Sequence, residues 1–235
     1  MTANSQAAPH DSAGRIFYWL LLWLILALVV APHFENVLGN VVERVCLTFV
    51  LGAAVLANRR RRRVFFTGLA VAAVALPLVW SSNFVESAEL SLGHYCVMIV
   101  FCAFTGGAIL IAVLRDHVAN RQSIAGIGCV YLLLGLTWAC AYSAIEYVEE
   151  KPFLFENRRP SVIESANRPL TSFSQFVYFS FVTMSTLGYG DVTPRTPLAE
   201  TATWLQSIVG QFFIAVLVAR IINALPRQVP VGQVT

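Results

Sequence analysis

The segment Thr186-Leu187-Gly188-Tyr189-Gly190-Asp191 has a residue pattern that predicts ion binding by backbone carbonyls. Its glycines allow backbone conformations that residues with a β-carbon resist. An extended strand whose successive carbonyls point one way can replace the water shell of a dehydrated potassium ion, and the Thr186 hydroxyl adds one more oxygen. One strand cannot surround an ion, so such a site requires several copies of the chain around an axis.

A short apolar stretch, residues 173–184, precedes this segment. It is too short to cross a bilayer of about 30 Å as a helix, so we predict a helix that enters the membrane and returns on the same side. Pro169, Thr171 and Ser172 supply a start, because hydroxyl side chains cap exposed amides. Non-helical backbone after it is tolerated at membrane depth only where it is buried in protein or lines a wet cavity.

Composition and apolar runs predict an all-α integral membrane protein. The chain has 235 residues, of which 57% are hydrophobic and 12% charged, whereas a soluble domain has about 25% charged residues. The apolar residues form long runs, which need a bilayer around them. We predict six spans, at residues 16–31, 37–57, 64–80, 94–114, 124–148 and 198–225.

Basic residues predict the orientation of these spans. The run Arg59 to Arg63, together with Arg115 and Arg121, lies in two short loops that the positive-inside rule assigns to the cytoplasm. Both termini are then cytoplasmic in a multi-pass protein of the plasma membrane, and the loop 149–168 is an outer, solvated turret. The predicted regions are a disordered N-terminus (1–14), a four-helix transmembrane region (15–120), a pore domain (121–225) and a short cytoplasmic tail (226–235).

The hexapeptide and its flanking helices resemble the potassium channel superfamily, whose signature is threonine-variable-glycine-tyrosine-glycine-aspartate. The resemblance is closest over residues 173–223 and implies a tetrameric pore. It implies that Tyr189 packs its ring behind the filter and that Asp191 forms a carboxylate ring at the outer mouth. Carbonyls of the first four residues would line the potassium sites, within an ion-binding segment made of Thr186, Leu187, Gly188, Tyr189 and Gly190.

Two positions beside the filter depart from patterns common in that family. Val182 stands where some members carry a glutamate that is hydrogen-bonded to the filter aspartate. The pore-helix aromatic pair is Tyr178 and Phe179 instead of tryptophans. The Tyr178 phenol is the candidate to reach Asp191 instead, so Tyr178 and Val182 are the predicted filter-support residues.

The last span contains the predicted gating residues. Gly210 stands inside an otherwise well-formed helix, where glycine costs about 1 kcal/mol relative to alanine. It serves either as an opening hinge or as a close packing position, and the sequence does not separate these. Ile214, Val218 and Ile222 repeat at helical spacing. They line a pore and form an apolar gate, or they face neighbouring helices.

The fourth span argues against steep voltage gating. Residues 94–114 contain no arginine or lysine, and Arg115 comes only at the cytoplasmic end. Voltage sensing needs charges that move through the field, at about 2.3 kcal/mol per charge per 100 mV. The four-span region is instead expected to surround or brace the pore, and lipid or a partner is the candidate to bind it. The tail after Pro226 is too short for a ligand-sensing domain, so such gating would need a separate regulatory subunit or a further part of the gene product.

Other function classes are weaker. A net charge of +3 gives no case for a nucleic-acid partner, and the five cysteines lack metal or redox spacing. We therefore predict no enzyme and no cofactor, only potassium ions in the filter of a homotetramer within a lipid bilayer. The alternatives are a weakly selective cation channel and a potassium uptake transporter subunit, although the single pore segment with two filter glycines disfavours the transporter. A membrane redox enzyme would need haem-ligating histidine pairs or a thiol motif.

Overall fold

A computed structural model describes residues 11–30, 88–115, 121–156 and 173–224, together with the single residues 66, 68, 70, 73 and 77. The predicted spans 37–57 and most of 64–80, the arginine run 59–63 and the tail 226–235 lie outside the described residues. The described part is mostly helical. Its elements are α1 (Asp11–Val30), α2 (Ala88–Arg115), α3 (Arg121–Val148), β1 (Phe153–Phe155), α4 (Phe173–Met184), β2 (Val192–Pro194) and α5 (Pro197–Ala224).

Among the described residues, three helices are long and apolar enough to cross a membrane: Ser91–Leu114, Ser123–Val148 and Pro197–Ala219. They coincide with the predicted fourth, fifth and sixth spans. The described apolar part of α1, Phe17–Val30, is shorter than a full crossing. Helix α1 begins at Asp11, inside the N-terminal segment predicted to be disordered.

Helix α3 lies at the centre of the described helices and packs against α1, α2, α4 and α5. In its apolar stretch 56% of the residues are buried. Helices α2 and α3 approach each other closely at Gly126, where an added Cβ would lie 2.8 Å from the Val113 Cγ2 atom. The core that results includes Leu133 and Tyr142 of α3, both fully buried.

A two-stranded antiparallel sheet joins the end of α3 to the segment that follows the hexapeptide in sequence. The sequence did not predict this sheet. Strands β1 and β2 pair with Leu154 opposite Thr193. The Glu156 amide donates to the Asp191 carbonyl at 2.9 Å, and the Arg195 amide donates to the Pro152 carbonyl at 2.7 Å. Hydrogen-bonded and non-hydrogen-bonded pairs alternate in such a ladder. Pro194 directly precedes Arg195, whose amide is bonded, so Pro194 occupies a non-hydrogen-bonded position, where its missing N–H is no loss.

The strand β1 corrects the prediction that the whole loop 149–168 is a solvated turret. Phe153 is buried, and its ring lies 5.3 Å from both the Tyr142 and the Phe176 rings. The Phe179 ring joins the same cluster at 5.6 Å. An apolar Phe-Leu-Phe run removes more hydrophobic surface from water by pairing and packing than it could as a loop.

Candidate functional site

Helix α4 is the short apolar helix that the sequence predicted before the filter, over the same residues, Phe173–Met184. It packs one face against α3 and, near its end, against α5. Aromatic rings fix its N-terminal half, since the Phe176 and Phe179 rings both contact Tyr142 of α3. Its buried residues are Phe176, Val177, Phe179, Ser180, Val182, Thr183 and Met184.

The end of α4 turns directly into the filter segment. The Ser185 amide donates to the Phe181 carbonyl at 2.9 Å, and the Thr186 amide donates to the Thr183 carbonyl at 3.1 Å. The Leu187 amide reaches the Val182 carbonyl at 3.0 Å. These bonds satisfy carbonyls that the last turn of a helix otherwise leaves without partners. The position of the filter is therefore set by the position of the α4 C-terminus.

The filter backbone alternates in hand. Thr186, Gly188 and Gly190 have φ angles of +61°, +54° and +80°, whereas Leu187 and Tyr189 between them do not have positive φ. Alternation of left- and right-handed residues turns successive peptide groups toward one side of the chain, which an ordinary strand does not do. For a β-branched threonine a positive φ is an outlier that costs about 1–3 kcal/mol, and such strain concentrates at functional sites.

One copy of the chain leaves the filter open to its surroundings. Residues 185–190 are all exposed, with Leu187 at 58% and Tyr189 at 67%. A Cβ built on Gly188 meets no atom within 4 Å among the residues that the structure describes. Contiguous exposed apolar surface is typical of sites that contact another protein chain or a membrane.

The two predicted filter-support residues, Tyr178 and Val182, both contact the hexapeptide segment. The Tyr178 hydroxyl donates to the Asp191 Oδ2 atom at 2.8 Å. Desolvation first, and then the hydrogen bond and charge of Asp191 with a smaller contribution from Tyr189, raise the pKa of Tyr178 to about 12. The phenol is therefore neutral and acts as a donor at ordinary pH. Val182 is buried, and its carbonyl accepts the Leu187 amide.

Gln206 of α5 forms a buried polar network that the sequence analysis did not single out. Its side chain is 0% exposed. The Tyr142 hydroxyl donates to its Oε1 atom. Its Nε2 atom donates to the Ser180 carbonyl at 3.0 Å and to the Ser180 hydroxyl at 2.7 Å. That hydroxyl donates in turn to the Gly135 carbonyl at 2.6 Å. A glutamine inside an apolar span was the available sequence signal.

Gly210 lies against the end of α4. A Cβ at this position would lie 2.6 Å from the Met184 Cγ atom and 3.0 Å from the Met184 carbonyl oxygen. Helix α5 is continuous through this residue, from Pro197 to Ala224. The structure thus supplies a packing reason for the glycine, while its predicted role as a hinge stays a prediction.

The predicted gate residues lie further along α5. Ile214 is half-buried, whereas Val218 and Ile222 are exposed. Other apolar residues of α5, such as Val209 and Phe212, are exposed as well. Exposure in one chain therefore does not single out the stripe, and its assignment to the pore stays a prediction.

The start of α5 is anchored beside the outer sheet. The Thr196 hydroxyl accepts the Ala199 amide at 3.3 Å and donates to the Glu149 carboxylate. Thr196 is thus the N-cap, and Pro197 occupies the first helical position, where its missing N–H is no loss. This contact ties the end of α3 to the start of α5.

Comparison with known proteins agrees with this geometry over the C-terminal part of the chain. Residues 129–227 match a family described as "Ion channel". Potassium channel K1 of Plasmodium berghei (strain Anka) is 31% identical over 94 residues, which is 40% of this chain and 4% of that protein. The inward rectifier potassium channel Kirbac3.1 of Paramagnetospirillum magnetotacticum is 34% identical over 87 residues, 37% of this chain and 24% of that protein. The chain matches only a small part of the length of either relative.

A short apolar helix, the signature hexapeptide and two flanking apolar helices are the arrangement expected of a pore-loop ion channel domain. The matches confirm the resemblance to the potassium channel superfamily found in the sequence, over residues 129–227. They also confirm that the family and its relatives are ion channels and not enzymes. With its apolar helices, this makes the chain a membrane protein.

Proposed function

We propose that the chain is a subunit of a potassium-selective channel that conducts potassium passively through a filter of backbone carbonyls. The observation that carries this proposal is the alternating hand of Thr186, Gly188 and Gly190 within the signature hexapeptide. Carbonyls turned to one side can replace the hydration shell of potassium at several successive sites. Ions would bind along residues 186–190, with potassium at Thr186, Leu187, Gly188 and Tyr189.

The site requires several subunits, and a homotetramer is the proposed assembly. Only 11% of the residues in the apolar stretch of α5 are buried within one chain, against 56% in α3. The exposed face of α5 and the exposed filter residues are therefore available to neighbouring copies. In such an assembly the Tyr189 rings would pack behind the filter, and Asp191 would concentrate cations at the outer mouth.

The channel is not proposed to be steeply voltage-gated. The span Ser91–Leu114 contains no lysine or arginine that could move through the membrane field. Without such charges a change of potential does little work on this helix. The membrane would be the plasma membrane, with both termini in the cytoplasm. The opening movement would involve Gly210 and the stripe formed by Ile214, Val218 and Ile222.

The test is ion flux through the purified protein in liposomes, with potassium and sodium compared and barium as a blocker. Gly188→Ala is expected to abolish potassium flux, because alanine resists a φ of +54°. Gly107→Ala is the matched control, since it lies in α2 and a Cβ there meets no described atom within 4 Å.

The flux assay also separates the two remaining candidates. Barium-blocked flux with strong preference for potassium supports the proposal. Equal sodium and potassium flux in the unmodified protein would contradict it and favour a weakly selective cation channel. Flux that depends on a second gradient would favour an uptake transporter subunit.

A further inference from the structure

The buried amide of Gln206 lies where a polar side chain is expensive. Helix α5 is largely apolar over the stretch that can cross a membrane, in which Glu200 and Gln211 are the other side chains that carry a carboxylate or an amide. An amide removed from water costs several kcal/mol unless hydrogen bonds replace its water contacts. Gln206 meets this condition fully, since both ends of its amide bond to neighbouring elements.

The partners of Gln206 come from two different elements. Tyr142 belongs to α3, and Ser180 belongs to α4, the helix that carries the filter. Ser180 also donates to the Gly135 carbonyl of α3. One amide and one hydroxyl therefore lock three helices together through four hydrogen bonds, all with buried polar groups.

The network continues as a close contact one turn nearer the filter. Gln206 and Gly210 are four residues apart on α5, and Ser180 and Met184 are four residues apart on α4. Residues at this spacing lie on the same helix face. Gln206 bonds to Ser180, and Gly210 packs against Met184. Helices α4 and α5 are thus in contact along two successive turns. The second contact, at Met184, lies two residues before Thr186, where the filter begins.

We propose that Gln206 is a positioning residue for the selectivity filter: by fixing α4 against α5 and α3, it sets where the Thr186 backbone starts. This inference rests on the proposed function, because it assigns Gln206 a part in potassium selectivity. Gln206 touches no ion itself. Its effect passes through Ser180 and the C-terminus of α4, whose last carbonyls hold the amides of Thr186 and Leu187.

The test replaces Gln206 with leucine, which has a similar size and no polar atoms, and measures the potassium-to-sodium flux ratio in liposomes. We expect the ratio to fall about tenfold while barium-sensitive potassium flux persists, a change that equals about 1.4 kcal/mol. Ser207→Ala is the control, because its hydroxyl bonds to the Thr203 carbonyl of its own helix and to no other element that the structure describes. The control should keep the unmodified ratio.

A second variant guards against loss of assembly. Ser180→Ala removes the hydroxyl that accepts from Gln206 and donates to Gly135, but leaves the Ser180 carbonyl in place. It should lower the ratio about threefold, a smaller change because one bond to Gln206 remains. The double variant should lose less than the product of the two single losses, since the same bond is removed by both.

The outcomes separate the inference from the proposed function. A purely structural role would lower the heat stability of the assembly and the total flux, but would leave the potassium-to-sodium ratio unchanged. That result, in an unmodified protein that is selective, would overturn the inference alone. An unmodified protein that passes sodium and potassium equally would overturn the proposed function and the inference with it.

Discussion

Replacing Gly210 with alanine separates the two roles that the sequence allows for this glycine. The new Cβ would lie 2.6 Å from the Met184 Cγ atom, which can move, and 3.0 Å and 3.3 Å from the Met184 carbonyl oxygen and Cα, which belong to backbone. Overpacking of this kind costs about 1–3 kcal/mol. Alanine regains about 1 kcal/mol of helix propensity. The balance is a destabilisation of about 0–2 kcal/mol in each subunit.

The packing role also predicts a change in ion selectivity. Relief of the contact must move α5 away from Met184, and Met184 is followed after one residue by Thr186. We therefore expect Gly210→Ala to lower the dissociation temperature of the assembly in detergent and to lower the potassium-to-sodium flux ratio several-fold. A hinge without a packing role predicts the opposite pattern, with a stiffer helix, equal or higher stability, unchanged selectivity and less flux.

Gly107→Ala supplies the reference for the propensity gain alone. It lies inside α2, and a Cβ there meets nothing within 4 Å among the described residues. The variant should be as stable as the unmodified protein or more stable by up to about 1 kcal/mol. If Gly210→Ala raised the dissociation temperature as Gly107→Ala does, with the flux ratio unchanged, the packing argument would be refuted.

Two further substitutions test contacts around the filter. Tyr178→Phe removes the hydroxyl that holds Asp191, a bond that contributes about 0.5–1.5 kcal/mol. Potassium flux should therefore decay about two- to tenfold faster after external potassium is lowered. A decay equal to that of the unmodified protein would count against the contact. Because the pKa of Tyr178 is raised to about 12, this support is complete below the ordinary tyrosine pKa and is lost only as pH rises through the raised value. Flux measured from about pH 6 to pH 9 should therefore show no titration by Tyr178. Thr196→Val keeps the shape of the side chain but removes the α5 cap, which costs about 1 kcal/mol of stability per subunit. The dissociation temperature should therefore fall without a change in the flux ratio. An unchanged dissociation temperature would contradict the capping role.

Local pattern was sufficient to predict the short helix before the hexapeptide and the three described helices that are long enough to cross a membrane. The hexapeptide specifies its own backbone needs, because its glycines stand where positive φ is required. Hydropathy located the helices that the structure describes between residues 88 and 224, since a continuous apolar run has few other stable forms. The short apolar run before the filter likewise predicted α4 to the residue.

Contacts between distant residues could not be predicted in this way. The pairing of Leu154 with Thr193 joins two three-residue strands, too short for a periodicity to be visible. The positive φ of Thr186 could not be predicted either, because positive φ is expected at glycine and not at threonine. The bond between Gln206 and Ser180, 26 residues apart, depends on how α4 and α5 approach each other, which the sequence of neither helix specifies.

The reversal potential of the unmodified protein in a planar bilayer, with potassium on one side and sodium on the other, decides whether this filter selects potassium. A selective filter shifts the reversal potential by about 59 mV, in the direction set by potassium, for each tenfold preference for potassium over sodium. We expect this shift in the unmodified protein and not in Gly188→Ala, and we expect barium to block the current. A reversal potential near zero, with current still flowing, would contradict the claim that this filter selects potassium.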